Sequence, residues 1–128
     1  IGIDFTARDL QEAAKKKSLP WTLSKGFDTF AALGGFVPAL QIPDPSAIEF
    51  EIQVNNQVRQ TGKAAEMIFS VSKIISFLSG IFTLSPGDLI FTGTPEGVAP
   101  LREGDEIFAR ILGHSATLNL GVSKEKEA

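Results

Sequence analysis

The spacing of apolar and polar residues changes several times along the chain, and each change marks an element. Ile1, Ile3 and Phe5 surround Asp4, an apolar run with a carboxylate where a strand should stop. Thr6 followed three residues later by Asp9 has the form of a capping box, so the spacing predicts a helix from about Ala7. Its inward stripe would be Ala7, Leu10 and Ala14, with Lys15, Lys16 and Lys17 in the last turn to suit the helix dipole. Pro20 ends it. Residues 19–23 read as a loop in which Trp21 packs into the core, and 31–35 as a small-residue linker. Proline-punctuated extended stretches follow at 36–38 and 42–45.

From Ile48 the period becomes two. Phe50, Ile52 and Val54 alternate with Glu49, Glu51 and Gln53, the pattern of a half-buried antiparallel strand. Asn55 and Asn56 tolerate positive φ and predict a tight hairpin into residues 57–60. Glu49 and Glu51 fall on the outward face, a solvated position rather than a metal-binding pair. Met67, Ile68, Val71, Ile74, Ile75 and Leu78 follow helical spacing and predict a core helix ending at Gly80. Residues 89–92 are apolar throughout and read as a central strand, leaving through the Gly-Thr-Pro-Glu-Gly loop at 93–97. Strands at 106–112 and 117–122 are joined by a turn at Gly113 and His114, and a charged tail fills 123–128. His114, the single histidine, reads as a turn residue.

Composition narrows the class. At 128 residues, 43% apolar and 21% charged, the chain suits one domain, 1–128, with its own core. A net charge of −3 without a basic stripe argues against nucleic acid, and no apolar run is long enough for a membrane span. Without cysteine, thiolate catalysis and zinc–thiolate sites are excluded. The chain opens inside an apolar strand, which leads us to expect an N-terminally truncated piece of a longer protein.

Candidate chemistry gathers at the first strand–helix junction. Asp4 ends the strand, Arg8 and Gln11 lie three apart on one side of the helix, and Lys25 returns from the next loop. A carboxylate there suits a hard cation, an Arg grips a substrate carboxylate in two prongs, and a half-buried Lys supports charge on an enolate oxygen. Asp28 or Thr29 would add further oxygens. An ordinary helix start with a surface Arg and Lys fits the same spacing, and these residues alone leave both readings open. The 93–97 loop lacks the Gly-Lys-Ser/Thr of a P-loop. Its glycines and the Thr94 hydroxyl can still approach an anion, although a plain strand-ending turn looks the same.

In order, the blocks 4–11 (Asp-Phe-Thr-Ala-Arg-Asp-Leu-Gln), 21–28 (Trp-Thr-Leu-Ser-Lys-Gly-Phe-Asp), 67–69 (Met-Ile-Phe) and 92–98 (Thr-Gly-Thr-Pro-Glu-Gly-Val) closely resemble the fumarylacetoacetate hydrolase family. The match is best with its acylpyruvase and oxaloacetate decarboxylase members. The resemblance implies an α+β, mainly β fold: a mixed β-roll or barrel-like core with short flanking helices, usually in a homodimer. It implies Mg²⁺ or Mn²⁺ and cleavage of a C–C bond in small 2-keto or 2,4-dioxo acids, by hydrolysis or decarboxylation. Isomerisation or decarboxylation of 2-hydroxy-dienedioates is the alternative, and a truncated scaffold without activity the other. By position, Asp4 resembles a metal ligand, with Thr29 a further oxygen near it in some members. Arg8 and Gln11 resemble the pair that holds the substrate's acid and keto oxygens. Lys25 resembles the enolate-supporting lysine, and Thr94 the hydroxyl that grips the substrate carboxylate. Two glutamate ligands and a water-activating His–Glu pair of the family have no counterpart in this chain. The family's locations are the bacterial cytoplasm and, in eukaryotes, mitochondria.

Overall fold

Strand β1 (Gly2–Asp4) is the opening apolar run, and it pairs antiparallel with β2 (Ala31–Leu33), Asp4 opposite Ala31. The expected linker at 31–35 is therefore partly strand. The β1 backbone needs a hydrogen-bonded neighbour, and small side chains do not prevent a segment from being one. The computed structural model of the chain describes residues 1–124, so 125–128 of the expected charged tail lie outside the described residues. The chain divides into two compact units, one spanning Gly2–Gly34 and the other running from Gly35 onward together with Ile1.

In the first unit, helix α1 (Arg8–Lys16) starts one residue later than expected and without the capping box. Ala7 occupies the cap position with no side-chain hydrogen bond, and its own N–H donates to the Ser24 carbonyl at 2.9 Å. Ala7 is extended (φ −74°, ψ 96°), so the helix begins one residue beyond the place from which Thr6 would cap. The inward residue is also different: Gln11 is 4% exposed, whereas Leu10 is 39% exposed. Residues 22–25, expected as loop, form the single turn α2 (Thr22–Lys25), with the Ser24 hydroxyl donating to the Trp21 carbonyl at 2.7 Å. Trp21 is not core. About half its surface is exposed, and the Lys15 ammonium lies 5.0 Å from the ring centroid. Phe5, Phe27 and Phe30 supply the apolar packing, with centroids 6.3 Å apart for Phe5–Phe30 and 5.1 Å for Phe27–Phe30.

The second unit is built on a four-stranded antiparallel sheet in the order β4-β3-β5-β6: β3 (Glu49–Val54), β4 (Gln57–Lys63), β5 (Glu106–Ile111) and β6 (Thr117–Gly121). Asn55 and Asn56 take φ of 52° and 62° and close the expected two-residue hairpin. The register places Val54 opposite Ile107, Ile52 opposite Ala109 and Ala109 opposite Leu118, so one face carries the buried residues. On the other face Glu49 lies opposite Lys63 and Glu51 opposite Arg110, with ion pairs of 3.2 and 3.1 Å. These glutamates balance cross-strand cations, as their outward positions led us to expect. A β-bulge interrupts β3–β4: Ile52 faces Gln60 and Gln53 faces Val58, leaving Arg59 as the extra residue. Beyond it Gly62 sits opposite Phe50, whose ring covers it so closely that a Cβ would come 2.7 Å from Cζ.

Two expectations fail here. Helix α3 (Val71–Ser79) begins only after Ser70, whose hydroxyl accepts the Lys73 N–H, so Met67 and Ile68 precede it. None of its residues is buried, and Phe77 is 68% exposed, so it is not a core helix in this chain. Residues 89–92 form no strand among the described residues, and Leu89 and Phe91 are exposed. An apolar run shows a preference for burial, but a strand also needs a neighbour to bond. No helix among the described residues is long and apolar enough to cross a membrane.

Gly62→Val is expected to destabilise the isolated chain by about 1–3 kcal/mol, because the Phe50 ring has to leave its rotamer; urea denaturation measures this. Asp105 accepts the Arg102 N–H at 2.7 Å and the Asn55 amide at 2.8 Å, and these bonds, the backbone one first, hold its carboxyl below the ordinary 3.8. A depressed folded-state value stabilises above pH 3.8 and loses that contribution as pH falls through the folded value. Asp105→Asn should therefore lower Tm at pH 7, with the gap to wild type closing below pH 3.8. A gap that is constant with pH would contradict this.

Candidate active site

Two backbone hydrogen bonds bring the candidate residues of the first unit to one junction. The Phe5 N–H donates to the Phe30 carbonyl at 2.8 Å, and the Ala7 N–H to Ser24 at 2.9 Å. The end of β1 and the start of α1 are thus tied to α2 and the segment after it. Lys25, the last residue of α2, reaches back to Asp4, and Nζ donates to Oδ2 at 2.8 Å. The Lys25 side chain is half-buried and that of Asp4 more open. On α1, Arg8 Nη1 donates to Gln11 Oε1 at 2.9 Å, three residues apart as the helix requires. Gln11 is among the most buried side chains of this unit, together with Ser24.

These contacts orient donors. The Gln11 carbonyl oxygen is taken by Arg8, which leaves the Gln11 amide N–H₂ as the group it offers. Arg8 uses Nη1 on Gln11, and a guanidinium has five N–H groups in all. Lys25 directs one of its three hydrogens to Asp4. A junction with an ammonium, a guanidinium and an amide N–H₂ suits an anionic ligand rich in oxygen.

Thr29 takes φ of 68°. For a β-branched residue that is a strained backbone, of the kind concentrated at ligand-binding and catalytic positions. It lies in the turn closed by the Phe30 N–H on the Phe27 carbonyl at 3.2 Å. Asp4 is the single acidic residue of the proposed set. Among the described residues no group of three or more His, Cys, Asp or Glu side chains is placed to hold a metal ion. His114 sits in the β5–β6 turn, its N–H on the Ile111 carbonyl at 3.3 Å.

Thr94 belongs to the second unit. It is exposed, and its Oγ1 accepts from Gln60 Nε2 at 2.9 Å. Sequence reasoning missed Gln60, because strict alternation from the hairpin would set residue 60 opposite Glu51. The bulge at Arg59 moves it one place, opposite Ile52 on the apolar face.

The chain is 54% identical over 111 residues to the mitochondrial oxaloacetate tautomerase of Mus musculus, covering 87% of this chain and 50% of that one. It is 43% identical over 126 residues to the mitochondrial oxaloacetate decarboxylase of Dictyostelium discoideum, covering 98% of this chain and 58% of that one. The crystal structure of fumarylpyruvate hydrolase from Pseudomonas aeruginosa in complex with Mn²⁺ and pyruvate superposes with a TM-score of 0.89 at 38% identity, covering 97% of this chain and 53% of that one. The chain therefore spans about half the length of the relatives it matches. Its α+β fold, strands with a few short helices, is the one it shares with that structure. The family model for the C-terminal part of fumarylacetoacetate hydrolase matches residues 1–123. On the agreement of that match, these identities and the shared fold, the chain belongs to the fumarylacetoacetate hydrolase family.

Proposed function

We propose that this chain supplies the substrate-gripping half of a divalent-cation-dependent enzyme that cleaves or decarboxylates small 2-keto and 2,4-dioxo acids. The observation that carries the reading is the donor set at the β1–α1 junction, with Arg8 and Lys25 each oriented by an acceptor within the chain and Gln11 by the Arg8 donor. Keto–enol tautomerisation of oxaloacetate, its decarboxylation and hydrolysis of an acylpyruvate all pass through an enol or enolate of a 2-keto acid. As a bond to C3 breaks, its electron pair enters the C2–C3 bond and negative charge collects on the keto oxygen. Lys25 donates to that oxygen, and the barrier falls because the ammonium is already in place when the charge appears. Arg8 and the Gln11 amide hold the acid group and fix the plane in which the bond breaks. Thr94, which belongs to the second unit, is assigned a carboxylate-binding hydroxyl only by its position in the Gly-Thr-Pro loop.

Asp4 is a hard oxygen donor, and Mg²⁺ or Mn²⁺ needs few protein carboxylates when substrate and water complete its shell. One carboxylate already bonded to Lys25 is an incomplete site, so further ligands come from outside this chain. A cation there would supply Lewis acidity toward the keto oxygen. Thr29, held at positive φ in the same unit, is the further oxygen we assign to that neighbourhood.

Calorimetric titration of Mn²⁺ is expected to give the isolated chain an affinity at least about tenfold below that of the whole protein, since affinity follows the count of charged ligands. Equal affinities would overturn the assignment of missing ligands. In the whole protein, Lys25→Met is expected to lower kcat by about 10²–10³-fold, the loss found when one oxyanion donor is removed. Arg8→Ala should instead raise KM by about tenfold or more, for one charge-assisted bond lost. A panel of oxaloacetate, acylpyruvates and 2-hydroxy-dienedioates, followed by product analysis, separates lyase and hydrolase activity from isomerase activity. Turnover of none of them would remove the reading.

A further inference from the structure

We infer that Gln60 is a positioning residue for Thr94: it shapes the 93–97 loop and sets the polarity of the hydroxyl so that Thr94 presents a hydrogen-bond donor to an anion. The inference rests on the proposed role of Thr94 in holding a substrate carboxylate. Three acceptors converge on one nitrogen. Gln60 Nε2 lies 2.9 Å from Thr94 Oγ1, 3.0 Å from the Pro95 carbonyl and 3.1 Å from the Glu96 carbonyl. Backbone carbonyls only accept, so the amide must turn its N–H₂ toward them. Rotated by half a turn, it would set Oε1 against two carbonyl oxygens.

The consequence lies at Thr94. Its hydroxyl oxygen accepts from Gln60, and its one hydrogen is then free for another acceptor. An unrestrained threonine hydroxyl rotates and can meet a ligand with its lone pairs. With one of its two lone pairs occupied by an amide N–H that it shares with the two carbonyls, this hydroxyl keeps its hydrogen and one lone pair, a bias toward donation that suits a carboxylate better than a cation. The amide also bridges consecutive carbonyls, so the loop cannot turn Pro95 or Glu96 outward without breaking a bond.

Two further features hold the arrangement. Gln60 sits immediately beyond the bulge at Arg59, opposite Ile52 on the face of the sheet that carries the buried apolar residues. Bulges commonly re-aim a side chain in this way. At the other end of the loop, Gly97 has φ of 97° and runs so close over the Arg59 carbonyl that any Cβ would overlap it. The loop is therefore seated on the bulge at Gly97 and bonded to Gln60 along 94–96.

The test uses the whole protein and Gln60→Met, which keeps length and bulk but cannot donate. Steady-state kinetics should show KM for the 2-keto acid raised about tenfold, the worth of one oriented hydrogen bond, with kcat changed by no more than about threefold. Thr94→Val should show a similar rise, and the double variant should be no worse than Thr94→Val alone. A KM within about twofold of wild type, or effects that multiply in the double variant, would overturn the inference. Backbone order of the Thr94, Glu96 and Gly97 amides, read as the ¹H–¹⁵N heteronuclear NOE, needs no turnover. It should fall clearly in Gln60→Met, and unchanged order overturns the loop-holding role. Should the wild-type protein act on no 2-keto acid, the functional reading fails by itself, and the NOE measurement still decides whether Gln60 holds the loop.

Discussion

The bonds from the Phe5 and Ala7 N–H groups to the Phe30 and Ser24 carbonyls constrain everything in the first unit. They anchor one short stretch of backbone to two segments about twenty residues further on. Between those anchor points the strand ends, the helix begins and α2 delivers Lys25. Asp4 and Lys25 meet because the backbone leaves them little choice, not because an ion pair half open to water is strong enough to gather them. The pair is an outcome of the fold. That order of causes suits a site that must stay arranged while charge comes and goes.

The second unit solves a similar problem with a sheet. Cross-strand charge pairs occupy its outward face and small or branched apolar residues its inward face. One polar side chain, Gln60, is set among the latter, where its amide meets carbonyls and a hydroxyl. A half-buried amide so well matched is worth more as an organiser than as a source of stability, since most of what it gains on folding it had from water.

Much of this was legible in the residues. The β3–β4 hairpin followed from period two and two asparagines. Residue type and spacing marked Asp4, Arg8, Gln11 and Lys25 as candidates, with an ordinary helix start fitting as well, and which of them bond to which did not follow from the residues. A capping box at Thr6 and Asp9 is a local preference, and the extended Ala7 backbone shifts the helix start past it. Leu10 yielded the inward position to Gln11 because Arg8 satisfies the Gln11 oxygen, which removes much of the cost of burying an amide. Residues 89–92 and the apolar side of α3 show the opposite failure: hydrophobicity predicts burial and strand, while in this chain those side chains are exposed or only partly covered. Gln60 stayed hidden because a bulge cannot be seen in an alternating pattern.

Strand β4 has seven residues where β3 has six, and Arg59 is the surplus. Loss of Arg59 would let the ladder close without a break, with Gln60 still across from Ile52 and Gly62 still across from Phe50. Loss of Thr61 would instead swing Gly62 to the side of Glu51 and expose the gap beneath the Phe50 ring. Length variation in this hairpin is thus absorbed on the turn side of the bulge, and a shortening beyond it turns over the far end of the strand.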